Sequence, residues 1–379
     1  MIKICFWLNI PSIHQTPFLR ELRKRPDVDV MVCYFDFNAV LVAERRQQGW
    51  TLESLVPGEK SVTSAEELYQ VDSWRERIHI LGGGGSPIIR ELLKLLIEHR
   101  LNWYHWSERS GISFARLIHY NVFVYRHVYP LLSRVIHQKY AGLINRYACG
   151  ALAIGALARR DFVDWGIKPD QIDELYYSCD TVSPPGDVML PTARTILRFI
   201  YVGALYHCKG IDLLLKAFSC LKERERCRLT LVGRDLSGGR YEKMAQKLGI
   251  SDQVEWVGAV ISTEVSSWIA RADVLILPSR YDGWGAVLNE GAMAGKALIA
   301  SDQCGAAWHL ICNDVNGWRI PAGKIKALHE AMENYQNDEK LAQRHGAESL
   351  RIYQSFSPEA NAVRLIEILQ RRQNISQQI

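Results

Sequence analysis

The sequence has no two cysteines in a C-x-x-C spacing, although it contains nine cysteines. Cysteines scattered in this way are typical neither of a zinc site nor of a disulfide-bonded secreted domain, and they indicate reduced thiols in a cytosol. No apolar run has the length of a transmembrane span, and the apolar part of residues 1–15 is too short for a signal peptide. We therefore expect a cytoplasmic protein.

Acidic residues are absent from residues 109–160, where eight arginines and lysines alternate with aromatic side chains. A helical segment of this composition suits an anionic membrane surface or an acidic substrate. Nucleic acid would use the same charges, but no recognition motif accompanies them, and we expect no nucleic-acid partner. The alternative is a helical hairpin whose aromatics belong to a core. We interpret the span as a peripheral contact with the inner face of the plasma membrane.

A G-x-G-x-x-G motif is missing from the loop after the first predicted strand, Ile2–Leu8, which counts against a dinucleotide site there. A helix from Phe18 and a second strand follow, so the opening predicts a parallel sheet. Residues at the carboxyl end of such a strand face the crevice of the sheet. Asn9, His14 and Gln15 are therefore candidates for contacting substrate, with turn-forming and capping roles as the equal alternative.

The overall composition, 379 residues with 48% hydrophobic and 23% charged, is typical of a soluble globular protein with two or three domains. Strand and helix patterns alternate up to a proline-rich stretch, 178–195, and resume after it. We predict an α/β protein with two Rossmann-like, doubly wound domains facing each other across a ligand cleft. Their predicted bounds are 1–180 and 181–357, and the last helix, at 358–379, is expected to pack back on the first domain.

The stretch 273–300 reads as strand, loop, helix and strand. Its loop, Asp282-Gly283-Trp284-Gly285, immediately precedes a predicted helix, and bare backbone amides at such a place suit a phosphate group. Glu290 lies further along that helix, so two acidic groups would flank a ligand. The alternative is an ordinary strand-to-helix turn with a solvated glutamate.

These residues resemble the retaining glycosyltransferases of family 4 (glycosyltransferase group 1), which have the GT-B fold. Tyr201–Gly210 is similar to the donor-phosphate loop G-R-L-x-x-x-K-G of that family. Pro278–Gly285 with Glu290 resembles its P-S-x-x-E-G-[FW]-G loop and its two acids separated by seven residues. The resemblance covers roughly 197–365 and includes Val257-Gly258. A looser similarity to bacterial surface-polysaccharide members of the family involves Trp106–Arg109, Ala153–Gly155 and Tyr177–Asp180.

The resemblance implies metal-independent transfer of a hexose, with retention, from a UDP- or GDP-linked sugar that is a substrate and not a cofactor. The acceptor would be a hydroxyl of a glycan or of a polyprenyl-diphosphate-linked sugar in polysaccharide biosynthesis such as that of O-antigen. Lys209 would hold the diphosphate, Glu290 the ribose, and Asp282 the transferred sugar, so these three are the candidate catalytic residues. The candidate donor-binding residues are Gly203, Lys209, Val257, Asp282, Gly283, Trp284, Gly285, Val287 and Glu290. The candidate acceptor-binding residues are Asn9, His14, Gln15, His105, Glu108 and Arg109.

Two positions depart from the family pattern. The arginine of the phosphate loop is replaced by Ala204, and the first acid of the pair is Asp282 in place of glutamate. Both departures favour a catalytically degenerate member that binds a nucleotide sugar or acts as a scaffold, whereas Lys209 and Glu290 favour an enzyme. A two-domain sugar-nucleotide epimerase would share the architecture but not the loop with paired acids.

Overall fold

The structure is a computed structural model, and it describes residues 1–35, 55–83, 85–180, 196–338 and 340–376. The chain divides into two units, each with its own parallel sheet. The first unit comprises residues 1–110, 130–180 and 356–379, and the second comprises residues 111–129 and 181–355. From residue 181 onward, the predicted linker lies outside the described residues.

The first unit contains a seven-stranded parallel sheet with the strand order β3-β2-β1-β4-β5-β6-β7. A parallel sheet is covered on both faces, so its central strands are continuous apolar runs. Cys5, Phe6 and Trp7 in the middle of β1 are accordingly fully buried. The strands are β1 Ile2–Leu8, β2 Val28–Tyr34, β3 Glu59–Ser61, β4 Ile78–Gly82, β5 Trp103–Ser107, β6 Gly150–Ala153 and β7 Ile172–Glu174.

The second unit contains a six-stranded parallel sheet with the order β10-β9-β8-β11-β12-β13. All four residues of the central strand β11 are buried. The strands are β8 Leu197–Val202, β9 Cys227–Val232, β10 Val254–Gly258, β11 Val274–Leu277, β12 Ala297–Ser301 and β13 Gly317–Ile320. Both units are α/β and doubly wound, as the sequence predicts.

Helices connect these strands and cover the sheets. In chain order they are α1 Thr16–Arg23, α2 Pro87–Glu98, α3 Ile112–Leu117, α4 Val122–Tyr147, α5 Ala156–Trp165, α6 Ile211–Ser219, α7 Arg240–Lys247, α8 Ser262–Ala270, α9 Val287–Met293, α10 Ala307–Leu310, α11 Ile325–Asn337, α12 Leu341–Tyr353 and α13 Pro358–Ser376. Helix α2 shows why the apolar pattern is informative, since Ile89, Leu92, Leu93 and Leu96 share one buried face.

The last helix, α13, belongs to the first unit and packs on α1. The Asn361 amide, which is fully buried, donates a hydrogen bond of 3.2 Å to Ser178 Oγ. Arg372 forms an ion pair of 2.7 Å with Asp173 at the end of the sheet. The first unit is therefore built from chain segments that are far apart in the sequence.

Residues 111–129 belong to the second unit, whereas the sequence analysis placed them in the first domain. Their aromatic side chains explain this difference, because Tyr125 and Tyr129 stack at 4.8 Å and are both buried. They form a cluster with Cys208 and Tyr281, which lie in the loops after β8 and β11. Burial of apolar surface thus assigns this segment to a unit that its position in the sequence does not predict.

Candidate functional site

The carboxyl ends of β8, β9 and β10 lie side by side at one edge of the second sheet, and glycines follow them. The Gly203 N–H donates to Val232 O at 2.8 Å, and the Gly233 N–H donates to Gly258 O at 2.8 Å. Gly233 has φ +146°, and a Cβ there would lie 1.9 Å from Gly203 O. No side chain fits at this position, so the backbones of Gly203 and Gly233 approach each other closely at the edge where α/β sheets bind ligands.

The loop from Gly203 to Gly210 connects β8 to α6 and carries Lys209. Gly210 has φ +74°, and a Cβ there would lie 2.2 Å from Pro278 O, so the loop lies directly against the residue that ends β11. This approach brings Lys209 Nζ to 2.6 Å from Asp282 Oδ2. Two predicted catalytic residues that are far apart in the sequence are therefore in contact.

The Lys209–Asp282 ion pair is mostly buried but still reaches solvent, since its side chains are 21% and 12% exposed. Burial disfavours the charged ammonium, but the Asp282 carboxylate outweighs that cost, and the pKa of Lys209 lies well above its usual value. Lys209 is thus a permanent cation at the open edge. A bound diphosphate would compete with Asp282 for it.

The loop 282–285 is held rigidly. Gly285 has φ +85°, and a Cβ there would lie 2.8 Å from the Leu277 side chain. The Trp284 indole is buried and donates a hydrogen bond of 2.8 Å to Asn289 Oδ1. The predicted donor contact at Trp284 is therefore left to its backbone. Helix α9 has only seven residues, so the loop amides matter more here than a long helix dipole.

Glu290 lies on α9 and is partly buried. Burial raises the pKa of its carboxyl group to about 7. In the part of the chain that the structure describes, this carboxylate has no hydrogen-bond or ion-pair partner. A ligand with two neighbouring hydroxyl groups, such as a ribose, would supply the missing donors.

The remaining predicted donor residues all lie in the second unit. Val257 is partly buried in β10, Gly203 directly follows β8, and Val287 is the first residue of α9. The predicted donor set therefore occupies strand ends and the loops that follow them. Across the described ranges, no three His, Cys, Asp or Glu side chains converge as they would around a metal ion.

Arg280 also belongs to the candidate site, although no sequence motif pointed to it. Its guanidinium binds both carboxylate oxygens of Asp212 at 2.8 and 2.7 Å and also donates to His207 O at 2.7 Å. Arg280, two residues before the loop 282–285 (the acid loop), is thereby bonded to the phosphate loop, Gly203–Gly210, and to the first turn of α6. No local pattern in the sequence indicates this contact, because Asp212 lies 68 residues earlier.

Three of the predicted acceptor residues gather near the carboxyl edge of the first sheet. Asn9 is exposed directly after β1, and the His14 ring lies 6.2 Å from the Tyr177 ring. Burial, together with the nearby Glu108 carboxylate, raises the pKa of Tyr177 well above its usual value. Tyr177, which sequence analysis named only as part of a resemblance, is thus the residue that His14 and Glu108 share.

The other three predicted acceptor residues are buried. The His105 ring nitrogens lie 3.0 Å from the Tyr140 hydroxyl and 2.8 Å from Ser107 Oγ, and burial lowers the pKa of His105 to about 3. Arg109 lies 4.0 Å from Asp161 in the interior. Gln15 is 8% exposed at the start of α1. These placements favour structural roles over direct contact with an acceptor.

The acid-free span 109–160 exposes aliphatic side chains more than the aromatic ones that the membrane hypothesis used. Phe114 and Tyr120 pack against the cluster around Tyr125 and Tyr129, and Tyr140 packs on His105. Of the seven phenylalanines and tyrosines in the span, Phe123 and Tyr147 are exposed, at 71% and 41%. Within the described ranges, no helix has the length and apolar character needed to cross a bilayer. The exposed apolar face on α4 in the first unit consists of Leu131, Leu132, Val135 and Ile136.

Residues 193–350 match the family model described as glycosyl transferases group 1. This match covers less than half of the chain. The uncharacterized glycosyltransferase MJ1607 of Methanocaldococcus jannaschii is 30% identical over 123 residues, which cover 32% of this chain and 31% of that protein. The O-antigen chain mannosyltransferase C of Escherichia coli is 31% identical over 161 residues, 42% of each chain. The chain thus spans less than half the length of these relatives.

Solved structures also resemble the whole chain. HepE of Anabaena, in complex with UDP, matches it with a TM-score of 0.69 at 17% identity, over 97% of this chain and 100% of that chain. At this identity the likeness concerns the fold, and the fold of this protein is GT-B.

Proposed function

We propose that this protein is a retaining, metal-independent glycosyltransferase that moves a hexose from a nucleoside diphosphate sugar to a hydroxyl of a glycan or lipid-linked acceptor. The observation that carries the proposal is the contact between Lys209 and Asp282 at the open edge of the second sheet, next to the loop between Gly203 and Gly210. A diphosphate leaving group gains negative charge in the transition state, and a permanent cation at that place stabilises it.

Each charged group has a separate role in this proposal. Lys209 binds the diphosphate and leaves Asp282 free to meet the transferred sugar. Glu290 accepts hydrogen bonds from the ribose hydroxyls, and these supply the donors that its carboxylate lacks within the described residues. The complexes of HepE with UDP and UDP-glucose support a nucleotide sugar as the ligand class. The O-antigen mannosyltransferase supports a role in polysaccharide biosynthesis.

The test is the release of radiolabelled sugar from a panel of UDP- and GDP-sugars, with and without acceptor glycans. We expect turnover of one donor, and loss of at least about a hundredfold of it in Lys209→Met, because removing a charge-stabilising group of the transition state costs about 2.7–4 kcal/mol. Unchanged turnover in Lys209→Met would contradict the assignment of Lys209 to the donor site. Nuclear magnetic resonance of the product reports the configuration at the anomeric carbon, and inversion would contradict a retaining mechanism.

A catalytically degenerate protein that binds nucleotide sugars is the second candidate function. The missing arginine at Ala204 favours it, because the diphosphate then has one cation fewer. The same panel separates the two candidates. A donor that raises the melting temperature but is neither hydrolysed nor transferred would identify a binding protein.

We further propose that the protein acts at the cytoplasmic face of the plasma membrane as a peripheral protein. The support is the apolar face of α4, where Leu131, Val135 and Ile136 are 73%, 67% and 59% exposed. Arg134 and Lys139 on the same helix are also exposed. An apolar helix face with basic neighbours suits an anionic membrane surface.

A further inference from the structure

A pocket of about 680 Å³ lies within the second unit, next to the loop that carries Lys209. Residues 118–123 with Arg126 and His127 form one wall, and Arg280 with residues 321–324 forms the other. No residue of this pocket is among the predicted donor or acceptor residues. We name it the basic-apolar pocket.

Three permanent cations line the basic-apolar pocket, and none of its lining residues is acidic. Arg126 pairs with Asp302, and Arg280 pairs with Asp212. Lys324 immediately precedes the 13-residue helix α11, whose first turn has no acidic residue. Within the described ranges, Lys324 has no ion-pair partner. The pocket therefore has an excess of positive charge, which suits a phosphate-bearing ligand.

The pocket also has apolar surface beside these cations. Ile118, Val122 and Phe123 present apolar surface, and the Phe123 ring, 71% exposed, lies 4.3 Å from the His127 ring. Pro321 continues this surface on the other wall. A simple anion such as inorganic phosphate would leave all of this apolar surface in water. The ligand that matches both walls has a phosphate group joined directly to a hydrocarbon chain.

The backbone of the first wall is strained. His119 and Tyr120 have φ of +49° and +56°, a left-handed conformation that side chains other than glycine seldom adopt. Such strain persists only where the surroundings fix it, and it occurs preferentially at ligand sites. The Tyr120 ring lies 6.2 Å from the ring of His207, two residues before Lys209. The wall is thus built against the loop proposed to bind the donor diphosphate.

We propose that the basic-apolar pocket binds a phosphorylated amphiphile, with Lys324 and the two arginines around the phosphate and Phe123 against the first part of the hydrocarbon chain. The existence of the site rests on the pocket alone. The identification of this amphiphile as the carrier of the acceptor sugar rests on the proposed function. Arg280 joins the two sites physically, since it lines the pocket and also contacts His207 in the phosphate loop.

The test is isothermal titration of the whole chain with farnesyl diphosphate, pyrophosphate and farnesol. Excess UDP or GDP, whichever the protein binds, fills the donor site during each titration. We expect one farnesyl diphosphate per chain, with pyrophosphate and farnesol each at least about tenfold weaker. Lys324→Gln and Phe123→Ser should each weaken farnesyl diphosphate binding about tenfold, as expected for one lost charge-assisted hydrogen bond or one lost buried ring.

Matched controls are available on the same surfaces. Lys326 is 87% exposed beside Glu330 and does not line the pocket, so Lys326→Gln should bind within about twofold of the wild type. Leu117 is 76% exposed and also outside the pocket, so Leu117→Ser is the control for Phe123→Ser. Circular dichroism establishes that each variant is folded.

The proposal is overturned if farnesyl diphosphate does not bind, if Lys324→Gln and Phe123→Ser bind it as the wild type does, or if pyrophosphate binds equally tightly. Donor turnover, measured on the same preparation, separates this outcome from the proposed function. Donor turnover without farnesyl diphosphate binding would contradict the ligand proposed for the basic-apolar pocket and would leave the proposed enzyme activity standing. Farnesyl diphosphate binding as expected, without turnover of any donor, would support the ligand proposed for the pocket and would contradict the proposed enzyme activity.

Discussion

At the scale of single residues, the surroundings of two ionisable side chains in the site have opposite effects on their charge. Asp282 holds Lys209 in its charged form, whereas burial pushes Glu290 towards its neutral form. A carboxyl group with a pKa of about 7 is half ionised near neutral pH. The affinity for nucleotide should therefore respond to pH in the range where the cell works.

Nucleoside diphosphate binding should tighten about tenfold between pH 6 and pH 8, because only ionised Glu290 accepts two ribose hydroxyls and its ionised fraction rises about tenfold over that range. Glu290→Gln should remove this dependence. Titration calorimetry on both proteins gives the comparison, and the ligand's own ionisation cancels between them. Glu242→Gln, at an exposed carboxylate on α7, is the control and should behave as the wild type. Equal pH dependence in all three proteins would contradict the role of Glu290.

The same group makes a prediction for stability. The pKa of Glu290 is about 7 in the folded protein and about 4.3 when unfolded, so the folded state holds an extra proton between these values. Stability should therefore fall as pH rises from about 4 to 7 and then level off, by at most on the order of 3–4 kcal/mol from this group. Glu290→Gln should be more stable than the wild type at pH 7.5 and similar at pH 4.5. Denaturant unfolding at the two pH values measures the difference.

Ala204 offers a gain-of-binding prediction. The Tyr201 hydroxyl donates to the backbone oxygen of Ala204, so the loop conformation does not depend on the alanine side chain. Ala204→Arg should tighten nucleoside diphosphate binding by about tenfold through one added charge-assisted hydrogen bond, and the gain should shrink with salt. Ala204→Gln, of similar length but neutral, is the control. A large fall in melting temperature without tighter binding would show that this loop does not face a diphosphate.

At the scale of elements, the site depends on loops that clamp one another. Gly210 lies against Pro278, Arg280 bridges to α6, and the Cys208 thiol donates to Tyr281 O at 3.0 Å. These contacts fix the phosphate loop and the acid loop as one piece. A preorganised loop pair binds an anion without first being ordered.

Removing the clamp should therefore lower both stability and affinity. Arg280→Gln leaves the Asp212 carboxylate, 13% exposed, without its bidentate partner and should cost about 2 kcal/mol of unfolding free energy. The double variant Arg280→Gln/Asp212→Asn should cost less than the sum of the single variants. Denaturant unfolding and nucleotide titration measure both effects. Arg226→Gln, which breaks an exposed pair with Glu223, should change stability by less than about 0.5 kcal/mol. Strict additivity at Arg280 and Asp212 would contradict the clamp.

At the scale of the whole molecule, the sequence predicts the layout of strands and helices better than the assignment of segments to units. The bounds of β1, Ile2–Leu8, follow from an apolar run, and the structure has the same bounds. Strands β3 and β13 lie at the sheet edges and escaped prediction. No residue of β3 is apolar or buried, and only the two end residues of β13 are buried. The contact of Lys209 with Asp282 was not predicted, because the family resemblance gave the two residues separate roles and no local pattern joins loops so far apart.

Membrane binding is a property of the whole molecule and is tested with vesicles. The protein should sediment with anionic vesicles and be partly released by salt, because charge attraction is screened whereas apolar contact is not. Arg134→Gln/Lys139→Gln should lower the salt-sensitive part by about thirtyfold, because two basic residues at about 1 kcal/mol each contribute about 2 kcal/mol. Leu131→Ser/Val135→Ser/Ile136→Ser should remove the salt-resistant part. Val163→Ser/Val363→Ser, at exposed positions on α5 and α13, is the control. Equal sedimentation with neutral and anionic vesicles at every salt concentration would contradict the electrostatic part.

The order in which the ribosome makes the segments has a consequence for how the first unit is completed. The seventh strand of its sheet is synthesised by residue 174, but α13, which packs on α1, follows only after all of residues 181–355. At 5–20 residues per second, α1 waits roughly ten seconds or more for this partner. During that time Phe18, Leu19 and Leu22, buried in the finished protein, lack part of their covering. A chimera that exchanges the first unit with that of a relative must therefore exchange α13 as well.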